Sequence, residues 1–83
     1  MEWKITNGKL VNNFKFNSQT ELATFLLKIA KYADKINHHP DCKIHKAFQL
    51  EITLFSHDKN ELTDLDYKLS EYISKLYKKI KII

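Results

Sequence analysis

The run His38-His39-Pro40-Asp41, with Asp34 four residues before the first histidine, is the part of the chain best equipped for proton chemistry. Imidazole both gives and takes protons near neutral pH, because its unperturbed pKa is about 6.5. If the last turn of a helix persists through it, Asp34 and His38 share one face, and the carboxylate can orient the ring. The same spacing also fits an exposed pair worth only a few tenths of a kcal/mol. Pro40 fixes where the chain must turn. The two histidines therefore fall at a helix end, from which side chains reach into a cleft. His57 follows a strand-like segment in Ser56-His57-Asp58, a strand-to-loop boundary of the kind that carries functional groups. Asp66 lies in the first turn of a second helix, where an acidic side chain also caps the backbone and suits the helix dipole.

A metal reading uses some of the same residues. His38, His39, Cys42, His45 and His57 are all zinc-ligand types, and Cys42-Lys43-Ile44-His45 has a tight C-x-x-H spacing. No second cysteine or paired ligand motif accompanies them. On one extended strand, the odd separation of Cys42 and His45 would also put them on opposite faces. No metal is expected. Gly8 is the only glycine, so there is no glycine-rich phosphate loop, and no nucleophile elbow is present.

The elements that must position these groups are legible. Asn7-Gly8 favours a type I′ turn, which predicts a β-hairpin of Trp3 to Thr6 and Lys9 to Phe16. Leu10, Phe14 and Phe16 share one face of it, interrupted by Asn12. Ser18-Gln19-Thr20-Glu21 is a capping box that predicts a helix over about Gln19 to Ile36. Its apolar stripe is Leu22, Phe25, Leu26, Ile29, Ala30 and Ala33. The stretch from Asn37 to Pro40 stops it, since the residue before proline avoids helical angles. Phe48, Leu50, Ile52 and Leu54 alternate with polar residues as a strand, and a shorter strand is expected near Lys43 to His45. Thr63-Asp64-Leu65-Asp66 opens a second helix whose stripe is Leu65, Leu69, Tyr72, Ile73, Leu76, Tyr77 and Ile80. The order predicts an α+β two-layer fold: a small antiparallel sheet of three to four strands with two helices packed on one face. The open sheet edges favour edge-to-edge association.

Eighty-three residues are expected to form a single domain, 1–83, with 43% hydrophobic residues and five Phe, four Tyr and one Trp for its core. One cysteine excludes an intrachain disulfide framework and suits a reducing cytosol, so a cytoplasmic location is expected. The N-terminus has no signal-peptide core, and no stretch approaches the ~18 apolar residues needed to cross a bilayer. The formal net charge is +4, and much of it sits in the last helix, at Lys68, Lys75, Lys78, Lys79 and Lys81. This reads as a solvated face; the absence of arginine removes bidentate phosphate or base recognition and argues against a nucleic-acid partner.

Taken together, Asp34-x-x-x-His38-His39-Pro40, then His57, then Asp66 nine residues later, resembles the pterin-4a-carbinolamine dehydratase family. Trp3, Phe14-x-Phe16, Phe25, Ala30 and Ala33-Asp34 are also similar to that pattern, as are Leu50 to His57 and Leu62-Thr63-x-x-Asp66. The match runs roughly from Trp3 to Leu69. Asp34 stands where the family usually has glutamate, and Glu61 where a glycine is common. The aromatic after His-His-Pro is displaced to Phe48, and the family's N-terminal helix is expected to be absent.

The resemblance implies a lyase that removes water from 4a-hydroxytetrahydropterin to give quinonoid dihydropterin, as in tetrahydrobiopterin biosynthesis. It implies His38 and His57 as an acid/base pair, with Asp34 orienting His38. It implies His39, Pro40 and Asp66 as substrate-binding residues, with Asp66 positioning His57 or bonding the pterin ring. No cofactor is required for water loss. A homodimer or homotetramer is the expected assembly. The alternative readings are a non-catalytic pterin-binding protein, a dimerisation or protein-interaction module, and a lysine-rich nucleic-acid binder.

Overall fold

A computed structural model describes residues 3–82, apart from the side chains of residues 81 and 82. Lys81, one of the lysines named above, therefore lies outside the described side chains. The elements run β1 (Lys4–Thr6), β2 (Lys9–Lys15), α1 (Gln19–Ile36), β3 (Asp41–His45), β4 (Gln49–Leu54) and α2 (Asp64–Ile82). The four strands form one antiparallel sheet in the order β1-β2-β4-β3. This is the expected α+β arrangement of four strands and two helices.

Asn7 and Gly8 both take positive φ, 53° and 77°, as a type I′ turn requires. The β2–β4 register sets Leu10 opposite Leu54, Asn12 opposite Ile52 and Phe14 opposite Leu50. Those six side chains point to one face and are buried there. Leu22, Phe25 and Ile29 of α1 and Leu69 and Ile73 of α2 cover them. Asn12 does interrupt the apolar face; its Oδ1 accepts from the Asn13 backbone N–H.

Helix α1 spans the predicted residues. Ser18 caps it by accepting from the Glu21 backbone N–H at 3.1 Å. The return bond of the capping box falls one residue earlier, since the Glu21 carboxylate accepts from Asn17 N–H at 3.0 Å. Helix α2 is fastened to the end of β2 and to Trp3, the residue before β1. The Tyr77 hydroxyl donates to Lys15 O at 2.8 Å, and Trp3 Nε1–H donates to Ser74 Oγ at 2.8 Å. Phe14 is the hub between them, with ring centroids 4.9 Å from Tyr77, 5.4 Å from Phe25 and 5.9 Å from Trp3. Each such pair adds about 0.5–1.5 kcal/mol beyond simple burial. Tyr32 and Tyr72 stack face to face at 3.9 Å and join the two helices.

Four sequence expectations change. Ala30 is exposed, because the buried stripe of α1 is the narrower Leu22, Phe25, Ile29, Ala33. Leu65 is also exposed, in the first turn of α2 before the helix meets the sheet. Phe48 is not in the strand. It ends a three-residue turn in which Lys46 and Ala47 both adopt left-handed backbone, and its side chain is exposed. Strand β3 is longer than expected and exposed along its whole length, as the sheet's outer strand.

Candidate active site

The end of α1 decides where the histidines go. Asn37 adopts left-handed backbone, φ 54° and ψ 44°, and its N–H bonds back to the carbonyls of Ala33 and Asp34. The His38 N–H then bonds to Ala33 O at 3.0 Å. This is a Schellman-type stop, for which Asn is a common left-handed residue. The last helical turn does not persist through His38, so Asp34 and His38 do not share a helical face.

The consequence is an exchange of partners. Asp34 accepts from His39 Nε2 at 2.8 Å, not from His38. His38 Nε2 instead meets Asp66 Oδ1 at 2.6 Å, across 28 residues of sequence. The two pairs differ in their surroundings. The side chains of His38 and Asp66 are 11% and 0% exposed, whereas those of His39 and Asp34 are 56% and 75% exposed. The expectation that Asp34 orients His38 is thus replaced: Asp66 does so.

Asp66 is held on its other oxygen as well. Oδ2 accepts from Ser56 Oγ at 2.8 Å and from the Thr63 backbone N–H at 2.9 Å. The Thr63 bond is the capping contact expected of an acidic residue in the first turn of α2. Burial pushes the Asp66 carboxyl up, but the hydrogen bonds from His38, Thr63 and Ser56 and the charge of His38 outweigh it and hold the group below its ordinary range. Asp66 is therefore ionised at neutral pH and can only accept. The proton in its bond to His38 must sit on Nε2, which leaves Nδ1 of His38 free to exchange a proton.

His57 is exposed, one residue beyond buried Ser56. Its ring lies edge-on to Phe55 with centroids 5.1 Å apart, and Lys9 Nζ sits 5.1 Å from the centre of the same Phe55 ring. Among the described residues Asp66 makes no hydrogen bond to His57; it reaches that segment through Ser56. Pro40 is half-buried directly before β3. Cys42 and His45 both lie on exposed β3, and no group of three or more His, Cys, Asp or Glu among the described residues converges on one point.

Ser56 and Thr63 were missed as site residues. Ser56 carried a signal: it continues the inward-facing series Leu50, Ile52, Leu54 at period two. A hydroxyl at a core-facing position demands a buried partner. Asp66 likewise precedes Leu69 and Ile73 on the inward stripe of α2, which marks it for burial.

The family model for pterin 4 alpha carbinolamine dehydratase matches residues 1–76. The chain belongs to that family. A relative from Metallosphaera sedula, provisionally named pterin-4-alpha-carbinolamine dehydratase, is 35% identical over 78 residues, covering 94% of this chain and 80% of the relative. One with the same provisional name from Prochlorococcus marinus is 40% identical over 75 residues, covering 89% and 77%. The fold is similar to a crystal structure described as a transcriptional coactivator/pterin dehydratase from Brucella melitensis. The TM-score is 0.85 and the identity 26%, over 90% of this chain and 81% of that one. A pterin dehydratase-like protein described as a RuBisCO assembly factor of the alpha-carboxysome shares the fold at 18% identity and TM-score 0.78, covering 93% of this chain and 90% of its own. No helix among the described residues is long and apolar enough to cross a membrane.

Proposed function

We propose that the protein dehydrates a 4a-hydroxytetrahydropterin to the quinonoid dihydropterin and water. The buried His38–Asp66 pair is the observation that carries this reading. In the reaction the C4a–O bond breaks, N5 loses its proton, and a C4a=N5 double bond forms. One group must protonate the leaving hydroxyl and another must take the N5 proton. His38 offers Nδ1 for one of these tasks, with Nε2 committed to Asp66. His57, exposed at the strand exit, supplies the other. His39, steadied by Asp34, and Pro40 bind the pterin beside them. Asp66 acts on His38 and not on the substrate.

Loss of either imidazole should lower kcat by about 10²–10⁴-fold, the usual share of general acid–base catalysis. Steady-state dehydration by His38→Ala and His57→Ala checks this. Near-normal turnover in both variants would sink the assignment. Pterin binding without turnover by the native chain would favour the non-catalytic reading.

We further propose that the chain works as a homodimer or homotetramer in the cytoplasm, where its lone thiol stays reduced. Among the described residues no strand pairs with the outer edge of β3, and a groove beside it is lined by Leu22, Ala23, Leu26, Leu27, Ala30 and Ile44. A second copy pairing along β3 would satisfy that edge and cover the groove. Sedimentation of Ile44→Lys tests it: the variant should shift to monomer, and an unchanged mass would exclude this edge.

A further inference from the structure

We propose that Ser56 is a positioning residue, whose hydroxyl fixes Asp66 so that Asp66 holds His38 with Nε2 protonated and Nδ1 open. The inference deepens the dehydratase reading and rests on it for its kinetic part only. Ser56 is a serine in a row of core-facing aliphatic residues, 2% exposed. A hydroxyl has one hydrogen. Ser56 directs it to Asp66 Oδ2 at 2.8 Å. The Thr63 hydroxyl, 2.7 Å away, must then be the donor in its own contact with Ser56. The direction of the chain follows: Thr63 donates to Ser56, Ser56 to Asp66, and His38 to Asp66.

The backbone holds this hydroxyl in place. Ser56 exchanges both backbone hydrogen bonds with Glu61 at 3.3 Å, which closes the loop that carries His57. Asn60 takes the left-handed backbone this short loop requires, at φ 56°. Ser56 therefore touches Asp66 with its side chain while its neighbour His57 is placed by the same loop. One residue sets the carboxylate behind one histidine and the strand exit that presents the other.

The carboxylate has two oxygens, and only Oδ1 faces His38. With Oδ2 held by two donors, from Ser56 and from Thr63 N–H, it cannot rotate away. Without Ser56 a single backbone donor remains on Oδ2. Among the described residues, His38 is the only titratable side chain that hydrogen-bonds to Asp66 or shifts it by charge; Ser56 and Thr63 face it with uncharged donors. A change in the titration of Asp66 on altering Ser56 thus has one route to follow.

The test compares the native full chain with Ser56→Ala, Ser56→Thr and Thr63→Val. Two signals are read without substrate: the Asp66 carboxyl carbon titrated by NMR, and the ring-nitrogen shifts of His38, which report its tautomer. In Ser56→Ala the Asp66 carboxyl should titrate at higher pH, since a donor to its charged form is gone. His38 should lose its single Nε2-protonated signature. Ser56→Thr, which keeps the hydroxyl, should restore both. Thr63→Val should move both signals in the same direction by less, and it serves in place of Ser56→Ala if that variant does not fold.

With 4a-hydroxytetrahydropterin as substrate, Ser56→Ala should lose about ten- to hundredfold in kcat with KM little changed, the usual size of a supporting-residue effect. The acidic limb of its pH profile should move up. Native Asp66 titration and His38 shifts in a folded Ser56→Ala, or in Thr63→Val if it is the only folded variant, would overturn the proposal. A native chain that does not dehydrate the pterin, yet shows these shifts on substitution, would overturn the dehydratase reading and leave the positioning role standing.

Discussion

Two adjacent histidines each find a carboxylate, at 2.6 Å for His38–Asp66 and 2.8 Å for His39–Asp34. The chemistry and the distances nearly coincide; the surroundings do not. Among the described residues Asp66, fully buried, receives three hydrogen bonds, whereas Asp34, mostly in water, receives one. A buried carboxylate depends on every donor, because each loss leaves its charge less compensated. An exposed pair is screened by water and salt and contributes little. Distance alone therefore does not rank the two; burial and the number of donors do.

The two pairs should differ most when Asp66 is lost. Replacing Asp66 with Ala leaves His38, Ser56 and the Thr63 N–H without their acceptor. It should cost about 3–5 kcal/mol, since each buried donor left without an acceptor costs about 1–3 kcal/mol. Urea unfolding measures it, and a loss below about 1 kcal/mol would place Asp66 with the surface pairs.

Acid should act on the same carboxylate. Its folded pKa is depressed, so its stabilising contribution is fully present above the unfolded value, about 3.9, and is lost as pH falls through the lower folded value. Native protein should therefore lose stability through that window, and Asp66→Asn should lose less over the same range. Parallel slopes of urea midpoint against pH in the two proteins would contradict the depressed titration.

Cys42 is a further acid shifted by its surroundings. The residue is exposed, yet desolvation of its thiol, aided by the Asp41 carboxylate, pushes its pKa from 9.0 up to about 11. Its thiolate fraction at pH 8 should be about a hundredfold lower than that of a thiol at 9.0. Alkylation by iodoacetamide should be slow in the folded chain and speed up on unfolding.

Asp34→Ala is the smallest expected change. It should shift stability by less than about 1 kcal/mol, and the difference should shrink further in high salt. A larger, salt-independent loss would mean that the exposed pair is not the weak one.

How much of this the chain announces varies by residue. The limits of α1 follow from Ser18 and Glu21 at one end and Asn37 ahead of Pro40 at the other, all local signals. The Asn7-Gly8 hairpin is equally local. Asp34 and His38 misled for a reason as local as these: Asn37 takes left-handed backbone, which turns His38 away from the helix face that the four-residue spacing assumes. The His38–Asp66 pair joins residues 28 apart and exists only once α2 is docked through Leu69, Ile73 and Tyr77. Phe48 follows the alternation of its strand on paper, but the turn through Lys46 and Ala47 ends before it. Ser56 was legible by parity with Leu54, yet its partners Thr63 and Asp66 emerge only from the fold.

Stopped-flow dehydration of 4a-hydroxytetrahydropterin by the native chain, His38→Ala and His39→Ala is the most direct test of these two pairs. The native chain should accelerate water loss. His38→Ala should lose about 10²–10⁴-fold in kcat. His39→Ala should keep most of kcat and show its defect in KM. Equal losses of kcat in both variants, or turnover in His38→Ala close to native, would contradict the assignment of the chemistry to the buried pair.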